Sequence, residues 1–369
     1  MENTAKREGR GVVVACPTST RSSVIGPLSP GAPGSTFLAI TVLGPLRSVQ
    51  PADNVVSLAT AANLSQDEAM KIGLFSFVET IDSLTEMAGT ARQQGFDSLW
   101  IPQTFGLDTL TAIAVAGQTV PDITFATAVV PTYPRHPQML AQQALTVNAA
   151  IGDRLVLGIG PSHKSVVEGS WAISFDKPIR HLREYLEILM PLVHDKKVRF
   201  EGETLTAKAD LQIDAPAPKV MMAALGPQLL KVTGRLADGT ILWMTGPRTI
   251  AEHSAPVIKE AAAEAGRAEP EIVAGFPICV TDGSDEANTE TRARAAKSFA
   301  MYGTLPSYRA MLDREGYEGP GDIAIIGGAA EVEDRIHGLT TAGVTTFAAS
   351  EFGSRDQRGA TRELLVSML

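Results

Sequence analysis

Residues 123–163 read ITFATAVVP (123–131), TYPRHPQMLAQQALTVNAAIGD (132–153) and RLVLGIGPSH (154–163). The first piece is a run of β-branched and small residues, Ile123 to Val130, closed by Pro131, and it predicts a strand. A helical period follows Pro137, with Leu140, Ala144 and Val147 on one face, and Gly152-Asp153 ends it. Leu155 to Ile159 is a second apolar run. Strand, helix and strand make one βαβ unit, whose strands lie parallel in one sheet. Function in such sheets gathers at the C-terminal ends of the strands. Here those ends are Val129–Tyr133 and Gly158–His163.

The same alternation extends in both directions. Upstream, Lys71–Phe77 reads as a strand, and Ser83 with Glu86 reads as a capping box. Leu84, Met87, Ala88 and Ala91 give the helix after it an apolar face, and Gly95 stops it. Ser98–Ile101 is a second strand, followed by a helix over Thr109–Gln118. Downstream, a long helix occupies 178–193, and KKVRFEGETLTAK (196–208) predicts a hairpin turning near Glu201-Gly202. Strands then fall at Val220–Leu225, Thr240–Met244, Ile272–Val280 and Val344–Ala349, with helices between them. Residues 284–326 break the rhythm, with helices near 286–301 and 306–315, and read as an insertion before the last strand. Eight strands alternating with helices over about 300 residues predict an α/β fold, a (β/α)₈ TIM barrel. The rival, a doubly wound open sheet, would show GxGxxG after its first strand, and none is present. P-loop, GxSxG and kinase signatures are also missing.

Composition narrows the function. The chain has 369 residues, a formal charge of −9 and only 2 cysteines, Cys16 and Cys279, in no CxxC pattern. The expectation is a reduced, cytoplasmic setting. No apolar run approaches the ~20 residues that span a bilayer. The acidic balance argues against a nucleic-acid partner. With 6 histidines and no HExxH or Cys/His cluster, no protein-bound metal is expected. Residues 1–69 stand apart. They are rich in Ser, Pro, Gly and Thr, and their 5 basic and 5 acidic residues cancel, so the remaining 300 carry the whole charge. Disorder is expected there. A targeting peptide is the functional alternative, and Met70 as the natural start the plainest one.

KIGLFSF (71–77), FDSLWIPQ (96–103), ATAVVPTYPRHP (126–137), LVLGIGPSH (155–163) and above all AALGPQLLKVTGRLADGTILWMTGP (223–247) resemble the bacterial-luciferase-like superfamily. Its deazaflavin-dependent oxidoreductases, which use coenzyme F-420, are the nearest in pattern. The resemblance covers 70–369. It implies a barrel with an insertion before strand eight, often a dimer, a small-molecule substrate, and a cofactor bound at the C-terminal face. Flavin monooxygenases using FMN share the scaffold, so both cofactors stay open.

Residue by residue, the resemblance implies a bulge in the third strand with a non-prolyl cis peptide at Ala128-Val129, backing the cofactor ring. Gly226, Pro227 and Gln228 open a helix whose N–H groups would face a phosphate, although Gly-Pro is also a plain strand-to-helix turn. Gly158, Gly160, Ser162 and His163 cap the fourth strand. The paired glycines leave space for something flat or for close backbone packing. Ser162 and His163 are candidate contacts to the ring or its ribityl chain. Some relatives carry an acid and a histidine after strand two, where this chain has Gln103-Thr104; neither ionises near neutrality. Gln103 and His163 are the catalytic candidates, and a non-catalytic flavin-binding barrel stays open. Arg135 and His136 read as structural or interfacial, Trp243 and Met244 as a pocket wall or core. Lys164, Lys177 and Arg180 are candidate contacts to an oligoglutamate tail.

Overall fold

A computed structural model describes residues 70–369. The expectations for 1–69 lie outside the described residues. Eight parallel strands form a closed ring: β1 (Lys71–Phe75), β2 (Ser98–Ile101), β3 (Thr124–Thr127), β4 (Leu155–Gly160), β5 (Lys219–Ala223), β6 (Gly239–Trp243), β7 (Glu271–Val280) and β8 (Thr346–Glu351). Each pairs with the next in chain order, and β8 closes on β1 with Lys71 opposite Thr346. The fold is the TIM barrel that the alternation predicts.

The pleat sets the inner wall. Ile241 and Trp243 on β6, and Val273 and Gly275 on β7, are two apart and face the same interior space. Gly275 is small for a reason: a Cβ there would lie 2.8 Å from the Trp243 ring. Helices cover the outside and bury Leu84, Ile113, Leu140 and Leu186 completely.

β3 departs from the expected continuous strand. It stops at Thr127 and resumes at Val130–Pro131. Ala126 lies opposite Val156 and Val130 opposite Ile159, so four steps on one side match three on the other. That is a bulge of one residue. The Ala128-Val129 peptide within it is cis, as the resemblance implies.

Several local expectations need correction. The first helix starts earlier, at Ile81, with Thr80 as its cap. Ser83, not Glu86, completes the capping box: the Ser83 N–H donates to Thr80 Oγ1 (3.1 Å) and the Thr80 N–H to Ser83 Oγ (3.2 Å). The region from 284 on holds the two expected helices, at Asp285–Ser298 and Pro306–Glu315, but also two short ones, Ala300–Thr304 and Pro320–Ile323, and a strand that periodicity cannot reveal, Ile325–Gly327, paired with the C-terminal end of β7. Three residues are too few to show an alternation. The helix expected over 248–265 has a π-turn at Ile250–Ser254. Among the described residues, no helix is long and apolar enough to cross a membrane.

The hairpin (Lys197–Glu201 with Thr206–Asp210) is pinned by a buried acid on the long helix Pro178–His194. Glu184, 2% exposed, accepts from the N–H groups of Glu203, Thr204 and Leu205 and from the Thr204 hydroxyl, at 2.7–3.0 Å. Burial alone would raise this carboxyl, but the bonds to Thr204, Glu203 and Leu205 outweigh it and bring its pKa down to about 2. A depressed acid stabilises the fold above its unfolded value and loses that contribution as pH falls. The hairpin anchor is therefore intact above about pH 4.5 and is lost toward pH 2. Glu184→Gln turns an amide NH₂ against backbone donors and is expected to cost about 2 kcal/mol. Thermal melting at pH 7 checks this, with a fall of roughly 3–5 °C expected for a domain of this size.

Candidate functional site

At the C-terminal ends of the strands the barrel opens into a cavity of about 670 Å³, within the size range of small-molecule and cofactor sites. Most of the residues predicted from the sequence meet there. Gln103 follows β2, Ala128 and Val129 form the bulge, Ser162 and His163 follow β4, and Gly226, Pro227 and Gln228 follow β5; all line this one cavity. Gly160 stands directly behind: a Cβ on it would fall 2.8 Å from Val129 Cγ2 and 3.2 Å from the Ala223 Cβ. Its absent side chain lets the bulge sit where it does.

Gly158 is elsewhere. It does not line the cavity, and its missing Cβ is space taken by the Thr127 carbonyl, 1.9 Å away, and the Ile241 methyl, 2.5 Å away. Thr127 grips it from both sides: the Thr127 hydroxyl donates to the Gly158 carbonyl (2.7 Å) and accepts from its N–H (2.9 Å). Of the two readings of the paired glycines, Gly158 fits close backbone packing.

The Gly226 helix (Pro227–Leu236) begins with no side-chain cap, and a Cβ on Gly226 would meet nothing within 4 Å. A second Gly-Pro start, Gly246-Pro247 after β6, is different. Glu315 from the insertion already lies against it and accepts from the Thr249 N–H (2.5 Å). One helix N-terminus at this rim is filled from within the chain, and the other is open to the cavity. Free N–H groups there attract an anion.

Gln103 is held loosely. Its carbonyl accepts from the Thr109 N–H (3.4 Å) and from Arg135 (3.3 Å), and its amide donates to Asp108 (3.5 Å). Asp108 is the acid of this corner, and composition alone gave no sign of it. It caps the helix Thr109–Thr119, takes two bonds from Thr111 (2.9 and 2.7 Å) and pairs with Arg135. Burial alone would raise its carboxyl, yet the Thr111 bonds and the Arg135 charge hold it below the usual carboxylate range. A carboxylate so engaged is a poor proton carrier. Arg135 and His136 are structural here. His136 caps the helix Pro137–Ala150, accepting from the Gln138 N–H (3.3 Å), and its other nitrogen sits 3.1 Å from the Thr206 carbonyl.

His163 faces the cavity, and burial holds its pKa below the usual imidazole value. The ring is therefore neutral at pH 7, with one donor and one acceptor nitrogen. Lys164, Lys177 and Arg180 lie outside the cavity lining and reach surface acids, Lys164 to Glu168 and the other two to Glu203. Trp171 on the cavity flank belongs to a segment packed by a ring stack, Phe175 on Tyr133 (5.1 Å) and Tyr133 on His181 (4.3 Å). Burial pushes the Tyr133 hydroxyl up to about 12. Sequence reasoning missed Tyr302, Ser307 and Tyr308, which reach the cavity from the irregular insertion. No period or motif marks them.

The family model for luciferase-like monooxygenases matches residues 54–346. The chain belongs to that family. As a luciferase-like protein it is an oxidoreductase. Among its relatives is the 5,10-methylenetetrahydromethanopterin reductase of Methanolobus tindarius, 26% identical over 248 residues, which span 67% of this chain and 74% of the relative. Among solved structures, the coenzyme F-420 dependent tetrahydromethanopterin reductase of Methanopyrus kandleri superposes with a TM-score of 0.68 at 20% identity, covering 80% of this chain and 97% of that one. The oxygenating constituent of 3,6-diketocamphane monooxygenase from Pseudomonas putida, in complex with FMN, superposes at 0.64 with 18% identity, covering 80% and 96%. At these identities the structural likeness speaks for the luciferase-like fold and not for the cofactor.

Proposed function

We propose that this protein transfers a hydride between coenzyme F-420 and a small organic substrate. The observation that carries the reading is the convergence of Val129, His163 and the uncapped Gly226–Gln228 helix start on one cavity. Val129 offers an apolar wall for a flat ring. The N–H groups from Gln228 onward would hold a phosphate. Ser162 and His163 would bond the ring edge or its chain, and the apolar walls would keep water from the reacting carbon. The deazaflavin supplies the hydride chemistry itself.

The charge of the site favours this cofactor over FMN. Among the described residues lining the cavity there is no Lys or Arg. A phosphodiester, as in coenzyme F-420, carries one negative charge, which a helix start can meet alone. A phosphomonoester such as that of FMN carries close to two at pH 7 and would lack a cationic partner. The second reading, an FMN-dependent monooxygenase, draws on the FMN-bound neighbour of similar fold. A third, a binding barrel without turnover, draws on Gln103-Thr104 standing where some relatives have an acid and a histidine.

An anaerobic assay separates the three. Oxidation of reduced F-420 by members of a panel of carbonyl, imine and alkene acceptors, without oxygen, is the expected result. Oxygen uptake that needs reduced FMN would favour the second reading, and binding with no turnover on any acceptor the third.

A further inference from the structure

One wall of the cavity is a chain of rings in contact order. Phe77 meets Phe75 at 5.8 Å between centroids, and Phe75 stacks on Trp243 at 4.6 Å with 22° between the planes. Trp243 meets Tyr302 at 6.2 Å, Tyr302 meets Tyr308 at 4.8 Å, and Tyr308 meets His163 at 6.1 Å. All six line the cavity, and they come from β1 and the segment just after it, β6, the insertion and the loop after β4. Separations of 4.5–7 Å are those of rings in favourable contact, so the wall is one continuous aromatic surface.

The mouth continues this chemistry. Phe77, Phe105 and Met301 are 56%, 77% and 55% exposed, and all three line the cavity. Large apolar side chains gathered in the open around one concavity mark a binding surface. Among the described residues of the lining there is no Asp, Glu, Lys or Arg. His163 is held neutral by burial, and burial likewise pushes the Tyr308 hydroxyl up, so it stays protonated. Near pH 7 both are thus uncharged hydrogen-bonding groups.

We infer that the aromatic wall takes an uncharged, flat and largely apolar substrate, an aromatic or alicyclic compound, whose one oxygen is bonded by Tyr308 and His163. An ion would be stripped of water here with no opposite charge to meet it, which is strongly unfavourable. A neutral ring would exchange water for the wall. This inference rests on the cofactor reading above, because it assigns the wall to the substrate and the Val129 side to the carrier.

Isothermal titration of the full chain, preloaded with coenzyme F-420, tests it with acetophenone, benzoate and ethylbenzene as probes. Trp100, Trp171 and Trp243 are the only tryptophans in the chain and all line the cavity, so fluorescence quenching reports binding at the same place. Acetophenone is expected to bind at least about tenfold more tightly than benzoate. Tyr308→Phe is expected to weaken acetophenone roughly three- to tenfold and leave ethylbenzene unchanged. Benzoate binding as tightly as acetophenone, or acetophenone competing with F-420 for one place, would overturn the inference. A Tyr308→Phe variant that loses both neutral probes equally would remove the assigned hydrogen bond and overturn it as well. Failure of F-420 to bind at all would count against the cofactor reading instead, and the benzoate comparison on the unloaded chain then decides the substrate class by itself.

Discussion

Gly226→Asp is expected to lower the affinity for coenzyme F-420 by about 100-fold or more while leaving the melting temperature unchanged or slightly higher. Two physical facts separate the effects. The position has an ordinary extended backbone, with φ −82° and ψ 152°, and a Cβ on it meets nothing within 4 Å. Aspartate is also a favoured residue at a helix start, where its carboxylate accepts from the first free N–H groups. The fold therefore tolerates or gains from the change. Those same N–H groups are the proposed phosphate contacts, and the new carboxylate would occupy them and repel the phosphate. Glu315 already does this at the neighbouring Gly246-Pro247 helix, where it accepts from the Thr249 N–H. Calorimetric melting and cofactor titration of one preparation check both halves. Unchanged F-420 binding would place the phosphate elsewhere.

Gly158→Ala is expected to do the reverse and damage the fold itself. Its Cβ would lie 1.9 Å from the Thr127 carbonyl oxygen, a backbone atom that moves only if β3 and β4 part. Thr127 and Gly158 also share two hydrogen bonds that the same displacement would stretch. Overpacking of this kind costs about 3 kcal/mol or more, and a melting temperature lower by roughly 5–10 °C follows for a domain of this size. Gly160→Ala makes the contrast, since its Cβ would press on the Val129 side chain and on the Ala223 Cβ rather than on backbone. That variant is expected to fold and to disturb the wall at Val129. The measurement is a melting curve on each. Equal losses would mean that the two glycines are not doing different jobs.

The barrel was legible because its signals are repeated and local. Apolar runs recur eight times, several of them closed by Gly or Pro, and the observed strands agree with the expected ones to within a few residues. Boundaries slipped where a short polar contact decides them. Thr80 starts the first helix because its hydroxyl reaches the Ser83 N–H, and two candidate caps only three residues apart cannot be ranked without coordinates. At the site, positions at strand ends were readable because parallel sheets place them on one rim; Val129, His163 and Gly226 were found that way. Gly158 was misplaced from the cavity by depth: it shares a strand face with Gly160 but lies two residues deeper in the barrel, packed on the Thr127 carbonyl and under Ile241, and GxG shows no difference between its glycines. Asp108 was invisible as part of the Gln103 corner, because its ties to Arg135 and Gln143 cross 27 and 35 residues. Tyr302 and Tyr308 were out of reach for the same reason. They stand in an irregular insertion, and only the folded chain brings them against Trp243 and His163.

Direct titration of the purified protein with coenzyme F-420 and, separately, with FMN tests the central claim. Saturable one-to-one binding of F-420, at least about tenfold tighter than FMN, is the predicted result, because the single charge of its phosphodiester suits an uncapped helix start with no cation beside it. Tight binding of FMN with none of F-420 would contradict it.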